Sequence, residues 1–309
     1  MKSLTEILES KYPIIQGGMA NIATAELCAA VSNAGGFGLI GCGGWDVDKV
    51  KSEIHRVKEL TNQPFGVNIM LMSPHAEAIS DLVIEEGIKV VTTGAGNPGI
   101  YLKKWQDAGI KVIPVVPSVA FAKRLARKGV DALIVEGTEA GGHIGETTTF
   151  TLVPQVVDAV DIPVIAAGGI ADHRGFDAAI SLGASGIQIG TVLLASEECP
   201  IHINYKQRIV KAKDTDTVVT GRNTGAPVRV IKNKMAKQYL KLTQDKNVTL
   251  EELEQLTLGS LRKAVFDGDM NEGSIMAGQS AGMVKKILPI KEILSNIYDQ
   301  SDFVKRGVL

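Results

Sequence analysis

Val130-Asp131-Ala132-Leu133-Ile134-Val135-Glu136-Gly137-Thr138-Glu139-Ala140-Gly141-Gly142-His143-Ile144-Gly145 is the stretch from which the fold is read. Its first six residues form a largely apolar run, as expected of a strand buried on both faces in a parallel sheet. The run opens into a loop in which four glycines surround one histidine. Glycine lets a backbone come close to a flat or anionic ligand, and an imidazole held there titrates near neutral pH. The plain alternative is a surface loop that happens to contain a histidine.

The same strand-then-loop pattern recurs on both sides. Short β-rich runs begin near Pro13, Phe37, Phe65, Ile88, Ile110, Asp131, Pro163 and Gly186, and successive starts lie 21 to 32 residues apart. Each interval holds a strand, a loop and a crossover helix, and eight such units predict an α/β fold of the TIM (β/α)8 barrel type. Thr24 to Ala34, Val47 to Leu60, Ala76 to Glu86, Val119 to Lys128 and Arg174 to Leu182 have helical composition. Gly87, Gly109, Gly129 and Gly183 stand where left-handed helix stops are wanted. A doubly wound open sheet is the competing reading, because Gly94-Ala95-Gly96-Asn97-Pro98-Gly99 matches G-x-G-x-x-G. The next strand, Lys111 to Pro117, ends without the acidic residue that would bind a ribose, so the match reads as a barrel-mouth loop.

After Thr191 the alternation stops. Residues 1–198 and 274–309 are assigned to the barrel, and 199–273 to a cap inserted between strand eight and the closing helix. That helix is predicted over Met283 to Ile297, kinked at Pro289. Loops that follow strands share one face of a barrel, so the insertion is expected over its mouth. From Pro200 to Lys246 it carries eleven basic residues against three acidic ones. This local excess of eight points to an acidic or phosphorylated partner, although a solvated helical face is the better reading for any single lysine.

The chain as a whole has 309 residues, 45% of them hydrophobic, and a formal net charge of -1. That charge argues against a surface built for nucleic acid. The N-terminal stretch lacks an apolar h-region, and nothing approaches the ~20 uncharged apolar residues of a membrane helix, so a cytoplasmic protein with no membrane segment is expected. Cys28, Cys42 and Cys199 have neither disulfide-framework nor metal spacing. Cys28 reads as core, whereas Cys42 follows a strand and stays in consideration. The five histidines lack ligand spacing, so no metal is expected. Gly278-Gln279-Ser280-Ala281-Gly282 matches a hydrolase elbow, but no histidine follows His202 to complete a triad.

In a barrel the strand C-termini build the site. Here they carry Gln16-Gly17-Gly18-Met19, Gly41-Cys42-Gly43-Gly44, Asn68, Glu136 with His143, Gly168-Gly169 and Gly190-Thr191. Small, amide and hydroxyl groups suit a planar ligand bound mostly through the backbone. The last two pairs, after strands seven and eight, stand where many barrels hold a phosphate. A phosphate-anchored planar ring is what flavin mononucleotide, FMN, presents.

Gln16 to Met19, Phe65-Gly66-Val67-Asn68, Val90 to Pro98, Glu136 to His143 and Ala166-Ala167-Gly168-Gly169-Ile170 resemble the FMN-dependent enoyl-[acyl-carrier-protein] reductase II family, FabK, which shares a barrel superfamily with the nitronate monooxygenases. The resemblance runs from about Tyr12 to Gln279. It implies that NADH or NADPH reduces FMN and that hydride then passes to the β-carbon of a trans-2-enoyl thioester on acyl carrier protein, as in bacterial type II fatty-acid synthesis. It implies catalysis by His143, which would donate to the thioester oxygen, supply the α-proton or position the flavin; spacing leaves the three open. Glu136 or Glu139 would orient the imidazole. Gly17, Gly18, Met19, Asn68, Glu136, Gly141, Gly142, Gly168, Gly169, Gly190 and Thr191 would hold the cofactor, with Met276, Ala277 and Gln279 closing over it. Arg222, Arg229 and Lys232 would meet the carrier protein or the dinucleotide. A homodimer and monovalent-cation activation are further family traits.

Two other functions are weighed. A nitronate monooxygenase or NAD(P)H:quinone reductase shares the glycine-histidine loop but has no use for a basic insertion. A flavin-free, phosphate-binding barrel lyase or isomerase would stay colourless when offered FMN.

Overall fold

The computed structural model describes residues 3–245 and 248–308, so Lys246, counted above with the basic insertion, lies outside them. The strands are β1 (Ile14–Gln16), β2 (Gly38–Gly41), β3 (Phe65–Met70), β4 (Val90–Gly94), β5 (Lys111–Val116), β6 (Leu133–Glu136), β7 (Gly142–His143), β8 (Val164–Ala167), β9 (Gly186–Ile189), β10 (Thr217–Thr220) and β11 (Val228–Ile231). Eight form a parallel sheet in the order β1-β9-β8-β6-β5-β4-β3-β2. The ring closes between its ends, where Gln16 N donates to Phe37 O at 3.0 Å and Phe37 N donates to Ile14 O at 2.8 Å. This is the (β/α)8 barrel, and each barrel strand starts within two residues of its expected position.

Helices Ala25–Asn33, Val47–Leu60, Ala76–Glu85, Val119–Ala126 and His173–Ser181 occupy the segments of helical composition. Gly87, Gly109, Gly129 and Gly183 end their helices with φ of 67°, 74°, 78° and 91°, the left-handed stop that only glycine adopts without strain. The pleat divides the core in two. Ile15, Phe37, Leu39, Ile113, Ile134 and Ile165 fill the barrel, while residues between them on the strands pack outward on the helices. A short helix, Leu4–Leu8, plugs the barrel floor with both of its leucines buried. A Cβ at Gly186 would meet Leu4 Cδ2 at 2.5 Å, so the plug seats on the bare start of β9.

The insertion holds helix Ile203–Val210, the β10–β11 hairpin and helices Lys234–Leu242 and Leu250–Thr257. β11 also pairs antiparallel with β7, with Val228 opposite His143 and Arg229 opposite Gly142. The inserted hairpin thus lies against the loop that leaves β6.

The closing helix differs from expectation. Gln279–Met283 is a 3-10 turn, Val284 is extended, and the helix runs only over Ile290–Tyr298. Proline has no N–H to donate into a preceding turn and biases its neighbour to extended backbone. Pro289 accordingly precedes the helix rather than kinking it, and Leu288 makes a parallel bridge with Ser196. All three cysteines are buried and free. Burial pushes their thiols up, Cys199 to about 12, so Cys42 is a packing residue despite its place after β2.

Candidate active site

A cavity of about 380 Å³ opens at the C-terminal ends of the barrel strands. Gly17, Gly18 and Met19 enter it after β1, and Asn68 from β3. Glu136, Gly141, Gly142 and His143 come from β6 and its loop. Gly168 and Gly169 follow β8, Gly190 and Thr191 follow β9, and Met276 and Ala277 return from the insertion.

Close approach explains several glycines. A Cβ at Gly18 would lie 2.2 Å from Asn68 Cγ, and one at Gly141 would lie 2.6 Å from the Ala277 carbonyl carbon. Gly168 and Gly169 have φ of 96° and 79°, which leaves consecutive peptides free to turn toward a bound anion. Thr191 Oγ1 accepts from Gly278 N at 2.9 Å and ties the returning chain to this corner. Asn68 Oδ1 accepts from Thr92 Oγ1 at 2.9 Å, a bond that orients the amide so that its NH2 group is left for the cavity.

His143 is held by β7 on the rim. Its residue surface is exposed toward the open cavity, yet the crowding loops desolvate the ring and lower its pKa below the ordinary histidine value. The imidazole is therefore neutral at pH 7, with one N–H available as a donor. Glu139 does not orient it. Its carboxylate accepts from Thr149 N at 2.9 and 3.0 Å and from Thr149 Oγ1 at 3.0 Å, capping helix Thr149–Val157. Glu136 makes no side-chain hydrogen bond to His143, nor to any other described residue.

The Glu136 carboxyl is instead an unpartnered acid that burial pushes up to about 8. Its folded pKa lies above its unfolded value, so its stability contribution is complete below about pH 4.5 and is lost as pH rises through about 8. Glu136→Gln is expected to raise the melting temperature relative to wild type at pH 9 and leave it nearly unchanged at pH 5. Equal gains at the two pH values would show that the carboxyl is not a buried acid.

Gln279, expected over the cofactor, and Arg222, Arg229 and Lys232, expected at the carrier protein or the dinucleotide, do not line this cavity. Gln279 is exposed on the 3-10 turn with its N–H on Glu139 O at 2.9 Å, and Ser280 faces the cavity in its place. Arg222 is exposed and pairs with Glu146. Lys232 donates to Thr215 O at 2.8 Å. Arg229 is only 6% exposed; its Nε donates to Thr138 O at 3.0 Å and its Nη1 to Thr217 Oγ1 at 3.2 Å. It clamps the histidine loop to the inserted hairpin, and burial pulls its pKa below the usual guanidinium value.

Sequence reasoning left out Gln188, a buried side chain of β9 that lines the cavity, and Asn21, which lines it from the loop after β1. A single amide inside the apolar run Ile187-Gln188-Ile189 was the available signal.

The fold and site define a barrel enzyme whose cavity is lined by glycine backbone after β8 and β9 and by a neutral imidazole on the rim. The chain belongs to the nitronate monooxygenase family, whose signature matches residues 1–300, a family of flavin oxidoreductases. A probable nitronate monooxygenase of Staphylococcus saprophyticus is 35% identical over 97% of this chain and 97% of its own length. The (3aS,4S,5R,7aS)-5-hydroxy-7a-methyl-1-oxo-octahydro-1H-indene-4-carboxyl-CoA dehydrogenase of Mycobacterium tuberculosis is 32% identical over 95% of this chain and 94% of its own. The solved structure of FabK from Thermotoga maritima superposes with a TM-score of 0.95 at 46% identity, covering 100% of this chain and 98% of that one.

Proposed function

We propose that the chain is an enoyl-[acyl-carrier-protein] reductase that binds FMN and takes electrons from NADH or NADPH. The observation that carries this reading is the end-to-end similarity to FabK from Thermotoga maritima at 46% identity, against 35% for the probable nitronate monooxygenase. A relative whose name specifies a carboxyl-CoA substrate supports thioester chemistry in the family.

The residues present fit FMN. The two left-handed glycines, with Gly190 and Thr191, would cradle its phosphate; Asn68 and Gln188 offer amides to a polar ring edge; Gly17, Gly18 and Gly141 line the cavity with backbone alone, as suits a planar group. Bound there, FMN supplies a ring that exchanges hydride with organic partners. The chain's own contribution is electrostatic. Reduction at the β-carbon of an enoyl thioester drives negative charge onto the thioester oxygen, and the neutral His143 N–H on the cavity rim is the donor we assign to it.

The basic insertion contributes less charge than its composition suggests. Lys206 is buried, with Nζ donating to Ser196 O at 2.7 Å and Glu197 O at 3.0 Å. Arg208 pairs with Asp216, Lys234 with Glu272 and Arg222 with Glu146. Lys211, Lys213, Lys237 and Lys241 are exposed and make no salt bridge among the described residues. These four are the ones we assign to an acidic carrier protein.

The test is anaerobic. NADH or NADPH should bleach the yellow protein, and crotonyl thioester should then restore the colour and yield the saturated product. Nitronate oxidation in air with no dinucleotide requirement, and no thioester turnover, would move the chain to the nitronate monooxygenase activity that its curated relatives' names favour.

A further inference from the structure

Beside the active-site cavity lies a second one of about 400 Å³, walled by Trp45, Asp46 and Lys49 after β2 and by Arg262 and Phe266 of the insertion. Asn21 and Gly44 line both cavities, which adjoin at these two residues. We propose that this groove is the subsite for an adenosine diphosphate group, belonging to the dinucleotide whose nicotinamide end works in the main cavity.

Both aromatic residues carry a cation. The Arg262 guanidinium carbon lies 5.0 Å from the Phe266 ring centroid, and Lys49 Nζ lies 5.4 Å from that of Trp45. Arg262 makes no salt bridge among the described residues, and Phe266 is 48% exposed, so an uncommitted positive charge and a free ring face sit together. Aromatic stacking with adjacent arginine charge is how proteins hold nucleotides without hydrogen-bond readout. The groove's carboxylate, Asp46, keeps its charge and is held to the helix start, its Oδ1 accepting from Lys49 N at 2.8 Å, so the groove's cations Lys49 and Arg262 outnumber it.

Two further features are those of functional walls. Phe266 stands on a π-helical turn, Lys263–Asp267, a conformation that recurs at binding sites. Asn21 is 8% exposed, holds a left-handed φ of 60°, and its buried Oδ1 has no hydrogen-bond partner in the described structure. Strain and an unsatisfied acceptor thus coincide where the two cavities adjoin.

The subsite rests on the reading that a nicotinamide dinucleotide is the electron donor, and coenzyme A carries the same adenosine diphosphate chemistry. The holoenzyme is titrated calorimetrically with ADP, as wild type and as the exposed-site variants Phe266→Ala and Arg262→Ala. Apparent KM is then compared for NADH against reduced nicotinamide mononucleotide, and for crotonyl-CoA against crotonyl-pantetheine. ADP should bind wild type and weaken about tenfold in each variant, and the NADH advantage in apparent KM over its truncated form should shrink alike. If only the coenzyme A advantage shrinks, the adenosine diphosphate is the acceptor's and the assignment to the dinucleotide is overturned. ADP that fails to bind, or binds all three proteins equally, overturns the subsite. ADP binding with no thioester reduction would remove the reductase reading and sustain the subsite, because the titration needs no turnover.

Discussion

His143→Ala is expected to lower kcat/KM for an enoyl thioester by two to three orders of magnitude, the ~3 kcal/mol associated with one lost oxyanion donor, and to leave flavin binding intact if the proposed reductase reading holds. The expectation follows from where the ring stands. β7 is only two residues long, and its pairing with β11 sets His143 opposite Val228 on the rim rather than at the anion corner made by Gly168 and Gly169. Desolvation keeps the imidazole neutral at pH 7. His143→Gln retains an N–H and should recover part of the rate. The pH profile gives a second check. Because the pKa lies below the ordinary 6.5, the rate should stay level as pH falls through 6.5 and change only at more acid values. A drop of less than about tenfold in the alanine variant, or an acid limb centred above 6.5, would sink the donor role.

The barrel is legible in the sequence because strands buried on both faces need nearly continuous apolar runs, and glycine stops mark the helix ends between them. The cavity is legible for a related reason, since Gly18, Gly141 and Gly168 stand where a side chain would collide with a neighbouring element. What stayed hidden lacks periodicity. The barrel plug is a helix of five residues, too short for an amphipathic signal, and its only trace was the capping box of Ser3 and Glu6. Gln279 and Ser280 lie on a 3-10 turn, where no repeat tells which neighbour faces inward. Gln188 was masked by the apolar residues beside it. The basic insertion misled because a charge count sees no partners. Glu146 and Glu272, which neutralise Arg222 and Lys234, lie outside the counted window, and the carbonyls that hold Lys206 carry no formal charge.

Gly168 and Gly169 separate anion binding from mere loop conformation. Both need positive φ, so alanine at either position incurs about 1–2 kcal/mol of backbone strain. Only Gly168 is also enclosed. A Cβ there would lie 2.9 Å from Thr149 Oγ1 and 3.0 Å from Gly137 O, whereas one at Gly169 would find nothing closer than Glu139 Cβ at 3.5 Å. Thr149 Oγ1 cannot move away freely, because Glu139 Oε2 and the Ala167 and Gly168 carbonyls, each at 3.0 Å, share its single proton. Crowding of this kind adds on the order of 1–3 kcal/mol. Gly168→Ala should therefore lose about 3 kcal/mol of stability and most of its bound flavin on gel filtration, because displacing Thr149 disturbs the Glu139 cap and the loop that carries His143. Gly169→Ala should lose about 1 kcal/mol and remain yellow. Urea midpoints and the flavin-to-protein absorbance ratio measure both effects. Equal losses in the two variants would mean that positive φ alone governs this corner, and that the packing of Thr149 beneath Gly168 plays no part in holding the anion.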